Sequence, residues 1–199
     1  MLHVRRSKVD HVPDAAMRSM FAARKTVFID QLKWDVPALA GLYELDQFDD
    51  VHANYLILFE PDGRHLGSAR LLPTTRPHIL DSLYPGLCDD APPGGPDIFE
   101  ITRFCLDPGL SPGERRRVRN ILVTELVEHA LACGISAYTT VVEIDLYQQV
   151  GDFGWHCRSL GTGQIVDGRF MAALLIEIGP ETPALLAAAG IVREGGVAP

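Results

Sequence analysis

Residues 97–106, DIFEITRFCL, place a carboxylate and a guanidinium inside an apolar run. Ile98, Phe99, Ile101, Phe104, Cys105 and Leu106 suit a buried strand. Glu100 and Arg103 do not, because a buried charge without a partner is strongly destabilising. In a regular strand, positions 100 and 103 face opposite sides. Either one of them points at solvent, or each has its own ion-pair partner, or the strand is bulged or splayed so that both serve one site. A second charged group lies in YELDQFDD (43–50), where Glu44, Asp46, Asp49 and Asp50 crowd around Phe48. Carboxylates beside aromatic faces suit a cationic ligand, although an acidic run is more often a solvated loop. The spacing lacks the glycine and the length of an EF-hand loop. Arg70, late in the apolar stretch HLGSARLLP, is either an anion site or half of an internal ion pair. Arg24 and Phe28 stand four apart and project from one helix face; a boundary arginine with a core phenylalanine gives the same pattern. Trp34, in QLKWDV, shows neither helix nor strand periodicity and either pins a loop or lines a site.

These residues need elements to hold them. Met17, Met20, Phe21, Arg24 and Phe28 recur at helical spacing over 14–28. Residues 29–53 read as irregular. NYLILFE (54–60) and HLGSARLLP (65–73) read as a hairpin closed by PDGR. The proline- and glycine-rich stretch 73–97 reads as a loop excursion. After the strand at 97–106, SPGERRRVRNILVTELVEHALACG (111–134) begins with a capping box, Ser111 with Glu114, and Pro112 at the first helical position. Its apolar stripe is Val118, Ile121, Leu122, Leu126, Ala130 and Leu131, and Gly134 suits the helix end. ISAYTTVVE (135–143) reads as a strand, IDLYQQVGDFG as a short helix, RFMAALLIEI (169–178) as a long apolar strand, and ETPALLAAAG as a final helix. The expected fold is α/β: a single domain over 1–199 with a mixed central sheet flanked by helices.

The chain has 199 residues, 47% apolar and 22% charged, with formal charge −8. That balance makes nucleic acid an unexpected partner. No apolar run approaches a membrane span. MLHVRRSKVD has two arginines but no apolar stretch after them, so no secretion signal is expected. Cys88, Cys105, Cys133 and Cys157 form no CxxC pair, which argues against a zinc site or a disulfide framework and fits reduced thiols of the cytoplasm.

Taken in order, Arg24, Phe28, Trp34, ELDQFD (44–49), ARLLPTTRP (69–77) and FEITRF (99–104) resemble the motifs of the acyl-homoserine-lactone synthases, the LuxI-type autoinducer synthases. The resemblance covers about residues 20–110 and continues more loosely through TTVVEIDLYQQVGDFGW. Phe99 and Thr102 depart from the family's tryptophan and serine, and Tyr84 from its phenylalanine, while the charged positions are kept. The resemblance implies an N-acyltransferase (GNAT)-like fold with a splayed mid-sheet strand. It implies acylation of the amine of S-adenosylmethionine by an acyl thioester, then displacement of methylthioadenosine by the carboxylate to close a lactone. S-adenosylmethionine is a substrate; neither cofactor nor metal is expected. Arg24, Phe28, Trp34, Asp46, Asp49, Arg70 and Arg103 are then the expected S-adenosylmethionine site. Glu100 is the first choice of general base, directly or through one water, with Asp46 the second and Arg103 in the charge network around the reacting groups.

The donor is either acyl-carrier protein or acyl-CoA. Arg115, Arg116, Arg117 and Arg119 stand out in an acidic chain and oppose the helix dipole; they suit an acidic carrier or coenzyme A phosphates, and a solvated helix start is the plain alternative. Thr140 falls where the family often carries a threonine associated with 3-oxo donors, with Thr139 one position away. Phe104, Thr140, Val142, Leu146, Phe153, Met171 and Leu174 are the candidate acyl-pocket walls, equally suited to plain core. Two other functions compete. An acyl-CoA N-acyltransferase acting on another amine would carry a glycine-rich pyrophosphate loop before residue 111, whereas LDPGLSPGERRR has two glycines. A ligand-sensing module would keep the pocket and show no turnover. The oligomeric state is not legible.

Overall fold

The structure, a computed structural model, describes residues 3–6 (backbone) and 14–193. The chain divides into two compact units. Of the described residues, the first draws on 3–6, 14–71, 103–122 and 193, the second on Leu72–Thr102 and Val123–Val192. The strands form a mixed sheet with flanking helices, the expected α/β class.

In the first unit the strand order is β1 (His3–Arg6), β4 (Asn54–Phe59), β5 (His65–Pro73), then the second half of β6 (Ile98–Leu106). β4 and β5 pair antiparallel, with Tyr55 opposite Arg70. Their turn closes as PDGR predicts: Gly63 takes φ +89°, and the Glu60 N–H donates to the Arg64 carbonyl at 3.0 Å. Gly67 has no Cβ for a steric reason. One placed there would meet Val118 Cγ1 at 2.8 Å and Leu106 Cδ2 at 3.0 Å, so glycine lets helix α3 (Pro112–Cys133) lie close on β5. The predicted capping box is present, with the Ser111 N–H donating to Glu114 at 2.9 Å.

The predicted helix 14–28 is two helices. α1 (Asp14–Arg24) buries Ala16, Met20 and Arg24 on one face. A π-helix, Lys25–Gln31, then carries Phe28 into the interior. Thr26, Val27 and Ile29 are β-branched and crowd an α-helical turn, and wider turns of this kind recur at functional sites. The irregular stretch 29–53 also holds a small ladder, β2 (Ala38–Leu39) with β3 (Tyr43–Glu44), turned by Ala40 and Gly41, both at positive φ as a type I′ turn requires.

In the second unit the order is the first half of β6, β7 (Ala137–Glu143), β10 (Arg169–Glu177), β8 (His156–Ser159), with β9 (Gln164–Val166) also on β10. β6 and β7 are parallel from Ile98 to Ile101, with Glu100 opposite Thr139. Beyond that ladder the strand loses regularity at Arg103, whose φ is +51°, and this is the expected splay. β7 and β10 are antiparallel. One sheet face carries Tyr138, whose hydroxyl donates to the Leu126 carbonyl of α3 at 3.0 Å. The other carries Val141 and Ala173, packed with Leu80 and Leu87. Leu80 belongs to α2 (Ile79–Leu83), a short helix inside what the prolines marked as loop. The β8 and β9 strands were not expected either, although Asp167 and Gly168, both at positive φ, give β9–β10 an Asp-Gly hairpin signal. α4 (Ile144–Gly151) and α5 (Thr182–Ala188) fall where the sequence placed helices.

Candidate active site

Three arginines and three carboxylates, all in the first unit, form a closed alternating ring. Arg24 rides on the end of α1. Its guanidinium lies 2.5 Å from Glu44 and makes two parallel bonds of 2.8 Å to the oxygens of Asp49. Arg70, on β5, is bidentate to Asp46 at 2.6 and 3.0 Å and lies 2.9 Å from Asp49. Arg103, from the irregular point of β6, bonds Glu44 at 3.0 Å and Asp46 at 2.7 Å. Each carboxylate thus bridges two guanidiniums. Three positive charges meet three negative ones in near-complete burial: Arg24 and Arg70 are 1% exposed and Glu44 is 0% exposed. Such pairing is what makes six buried charges tolerable.

The loop itself fixes the ring. The Asp46 N–H donates to Asp49 at 2.9 Å, and the Phe48 N–H donates to Asp46 at 2.9 Å. The Tyr55 hydroxyl donates to Asp49 at 2.7 Å. Burial alone would raise the Asp49 carboxyl. The Arg24 hydrogen bonds and the charges of Arg70 and Arg24 outweigh it, and Asp49 is held well below the usual carboxylate range. Burial works against the Arg24 cation, and Asp49 and Glu44 more than offset this, so its guanidinium is pushed further up. Burial and the Asp49 charge raise the Tyr55 phenol, which keeps it a donor.

An aromatic wall adjoins the ring. Phe28 stacks on Trp34 with centroids 4.7 Å apart, and the Arg103 guanidinium lies 5.5 and 5.7 Å from the two rings. The π-helix explains the pairing: the Trp34 N–H donates to the Phe28 carbonyl at 2.8 Å, which folds the chain back on itself. Arg24, Phe28, Trp34, Asp46, Asp49, Arg70 and Arg103 are therefore gathered in one place. Glu44 and Tyr55 join them unpredicted. Glu44 stood in the acidic run, and Tyr55 is the direct cross-strand neighbour of Arg70.

Glu100 belongs to the second unit and is 0% exposed. Its oxygens accept the N–H groups of Ile79 at 2.8 Å and Leu80 at 3.0 Å, so it anchors the start of α2. The acyl-pocket candidates are divided. Strand alternation turns Thr140, Val142 and Leu174 to the α3 face, whereas Met171 lies in the Leu80–Leu87 cluster of the opposite face. Phe153 packs edge-on against Trp155 at 5.6 Å. Leu146 is 47% exposed on α4, and Phe104 is half-buried in the first unit. Arg115, Arg116 and Arg117 are exposed at the start of α3, and Arg119 turns its guanidinium to Asn120 at 2.9 Å.

The mixed sheet, with a well-capped helix after its splayed strand, has the fold of the N-acyltransferases, and the buried arginine–carboxylate ring is set in its first unit. A family profile described as autoinducer synthase matches residues 9–183. An acyl-homoserine-lactone synthase of Ralstonia nicotianae is 31% identical over 187 residues, covering 90% of each chain. The CoA-dependent acyl-homoserine lactone synthase MesI superposes with TM-score 0.81 at 28% identity, covering 99% of this chain and 98% of its own. The CoA-dependent synthase BjaI, solved with SAM and isopentyl-CoA, superposes at 0.84 with 24% identity, covering 96% and 89%. This chain belongs to the autoinducer synthase family.

Proposed function

We infer that this protein acylates the amine of S-adenosylmethionine from an acyl thioester and closes the product to an acyl-homoserine lactone, releasing methylthioadenosine. The closed arginine–carboxylate ring beside the Phe28–Trp34 stack carries the reading. S-adenosylmethionine has a carboxylate, an ammonium, a sulfonium and an adenine. Arginine donors in fixed orientation suit the carboxylate, and aromatic faces suit the sulfonium and adenine.

In the first step the neutral amine attacks the thioester carbonyl, a C–N bond forms, the C–S bond breaks and the thiolate leaves with a proton. In the second, a carboxylate oxygen attacks the γ-carbon and the C–S electron pair returns to sulfur. The sulfonium becomes a neutral thioether, so the aromatic wall loses its cation and the product is released more readily. Both Asp46 oxygens serve arginines, which makes Asp46 a positioning residue. Glu100, whose oxygens accept the Ile79 and Leu80 N–H groups, takes the base role, directly or through one water. Backbone N–H groups of the splayed strand suit the oxyanion.

The substrates are those of the cytoplasm, and among the described residues no helix is long and apolar enough to cross a membrane. The CoA dependence of MesI supports acyl-CoA as donor; the exposed Arg115–Arg117 run suits carrier protein as well. Purified protein incubated with S-adenosylmethionine and matched acyl-CoA and acyl-carrier donors is expected to yield methylthioadenosine and an acyl lactone by mass spectrometry. Acylation of a different amine, or no turnover with either donor, refutes the reading.

A further inference from the structure

A neutral side chain also donates into the charged ring of the first unit. Tyr55 stands on β4 directly opposite Arg70 on β5, so the two side chains share one face of the sheet. Its hydroxyl donates to Asp49 Oδ1 at 2.7 Å. The same oxygen accepts from Arg24 Nη1 at 2.8 Å and lies 2.9 Å from Arg70 Nη1. Asp49 Oδ2 accepts from Arg24 Nη2 at 2.8 Å and from the Asp46 N–H at 2.9 Å. Asp49 is thus the point at which Arg24 and Arg70 meet, and Tyr55 bonds to it there.

Packing alone does not call for that hydroxyl. β4 is buried along its whole length, and Tyr55 is 6% exposed, so a phenylalanine would fill the same space. Its ring meets Phe21 edge to face, with centroids 6.0 Å apart and planes at 77°. Phe21 in turn lies 5.0 Å from the Arg24 guanidinium. This aromatic pair therefore backs both Arg24 and the tyrosine that steadies Asp49. Without the hydroxyl, Asp49 Oδ1 keeps its arginine partners, so no buried charge is orphaned. What is lost is a restraint: a charge-assisted bond from a rigid ring that fixes the plane of the carboxylate. The two arginines then follow whichever plane Asp49 adopts.

The synthase reaction inferred above uses the substrate carboxylate twice. It is the handle by which S-adenosylmethionine is held during acylation, and it is the nucleophile that closes the lactone. Holding tolerates a small rotation, because a guanidinium can follow a carboxylate. Displacement does not: the attacking oxygen, the γ-carbon and the departing sulfur must stand in line, and a misplacement of about 1 Å costs about 10²-fold. We propose that Tyr55 is a positioning residue for lactonisation: through Asp49, its hydroxyl fixes the orientation in which Arg24 and Arg70 present the substrate carboxylate to the γ-carbon. In that step one carboxylate oxygen forms the C–O bond, the C–S bond breaks, and its electron pair goes to sulfur to give the neutral thioether. No proton moves, so the phenol stays protonated throughout.

The inference rests on the synthase activity, and the test separates the two. Wild-type protein that yields neither methylthioadenosine nor lactone sinks the activity and this inference with it. With active wild type, Y55F is compared in single turnover, with quenched samples resolved by mass spectrometry into acyl-S-adenosylmethionine, lactone and methylthioadenosine. The proposal predicts lactonisation slowed about 10-fold or more, acylation slowed less, and unlactonised acyl-S-adenosylmethionine accumulating. Supplying acyl-S-adenosylmethionine directly isolates the second step and is expected to show the same fall. Equal slowing of both steps with a lowered melting temperature makes Tyr55 structural, and product ratios like those of wild type leave its hydroxyl no part in the reaction; either result overturns the proposal.

Discussion

Replacing Glu44 by glutamine tests whether the ring is held by its charges. Glu44 is 0% exposed and bridges Arg24 and Arg103. Without its charge, the ring holds the three guanidiniums of Arg24, Arg70 and Arg103 against two carboxylates, Asp46 and Asp49, and its charges no longer balance. A glutamine amide keeps one acceptor oxygen, so it cannot receive from both guanidiniums without turning its own N–H₂ toward one of them. Breaking a buried pair by removing one partner costs about 3–5 kcal/mol. For a chain of this size that is a loss of roughly 6–20 °C in Tm. The assay is urea unfolding of wild type, E44Q, R103Q and the double variant E44Q/R103Q. The double variant restores charge balance and is expected to be less destabilised than the two single changes predict together, by about 0.5–3 kcal/mol. If E44Q lies within about 1 kcal/mol of wild type with an unchanged m-value, the ring is not held by charge and the reasoning fails.

Stability should also fall with acid through His65, which is 2% exposed, bonds Ser68 at 2.9 Å and is lowered by burial to about 4. The unfolded chain binds a proton at this side chain below the ordinary histidine value and the folded chain does not, so stability present near neutrality is lost as pH falls from about 6.5 toward 4, to a total of about 3 kcal/mol. Urea midpoints of wild type and H65Q across that range are expected to diverge in slope; parallel curves contradict it. Gly67→Ala is expected to destabilise by about 1–3 kcal/mol, because its Cβ would sit 2.8 Å from Val118; a neutral result by thermal melting means that α3 can shift outward. Arg115→Glu with Arg116→Glu should raise KM for carrier-linked donors about 10-fold or more at low salt, with the difference shrinking as salt is added; an unchanged KM rules out docking there. Glu100→Gln should lower the acylation rate about 10²-fold or more, and near-wild-type single-turnover acylation removes Glu100 from the base role.

Much of this was legible because local chemistry left marks. The capping box at Ser111–Glu114, the PDGR turn and the β-branched strand before residue 143 each act within a few residues, where propensity and capping decide the outcome. The charged motif residues were legible for another reason: polar groups inside apolar runs are costly, so each one had to be explained. Helix α2 was hidden because prolines flank it and its first amides are satisfied by Glu100, some twenty residues along the chain. The π-helix was hidden because it is a short stretch, Lys25–Gln31, that directly continues the α-helical spacing of Asp14–Arg24.

By itself, the sequence determined the longer helices and strands and which charged residues stand inside apolar runs, since both follow from side-chain types and their spacing. It left open the partner of every charge. Arg24 might have sat at a boundary, and the acidic run might have been a solvated loop. Tertiary structure alone joined them, because Glu44, Asp46 and Asp49 come to Arg24, Arg70 and Arg103 from twenty to sixty residues away. It also divided the acyl-pocket candidates between two faces of one sheet and gave Glu100 a helix to anchor. Contacts at that separation depend on register and on the left-handed backbone at Arg103, and those are settled only when strands pair.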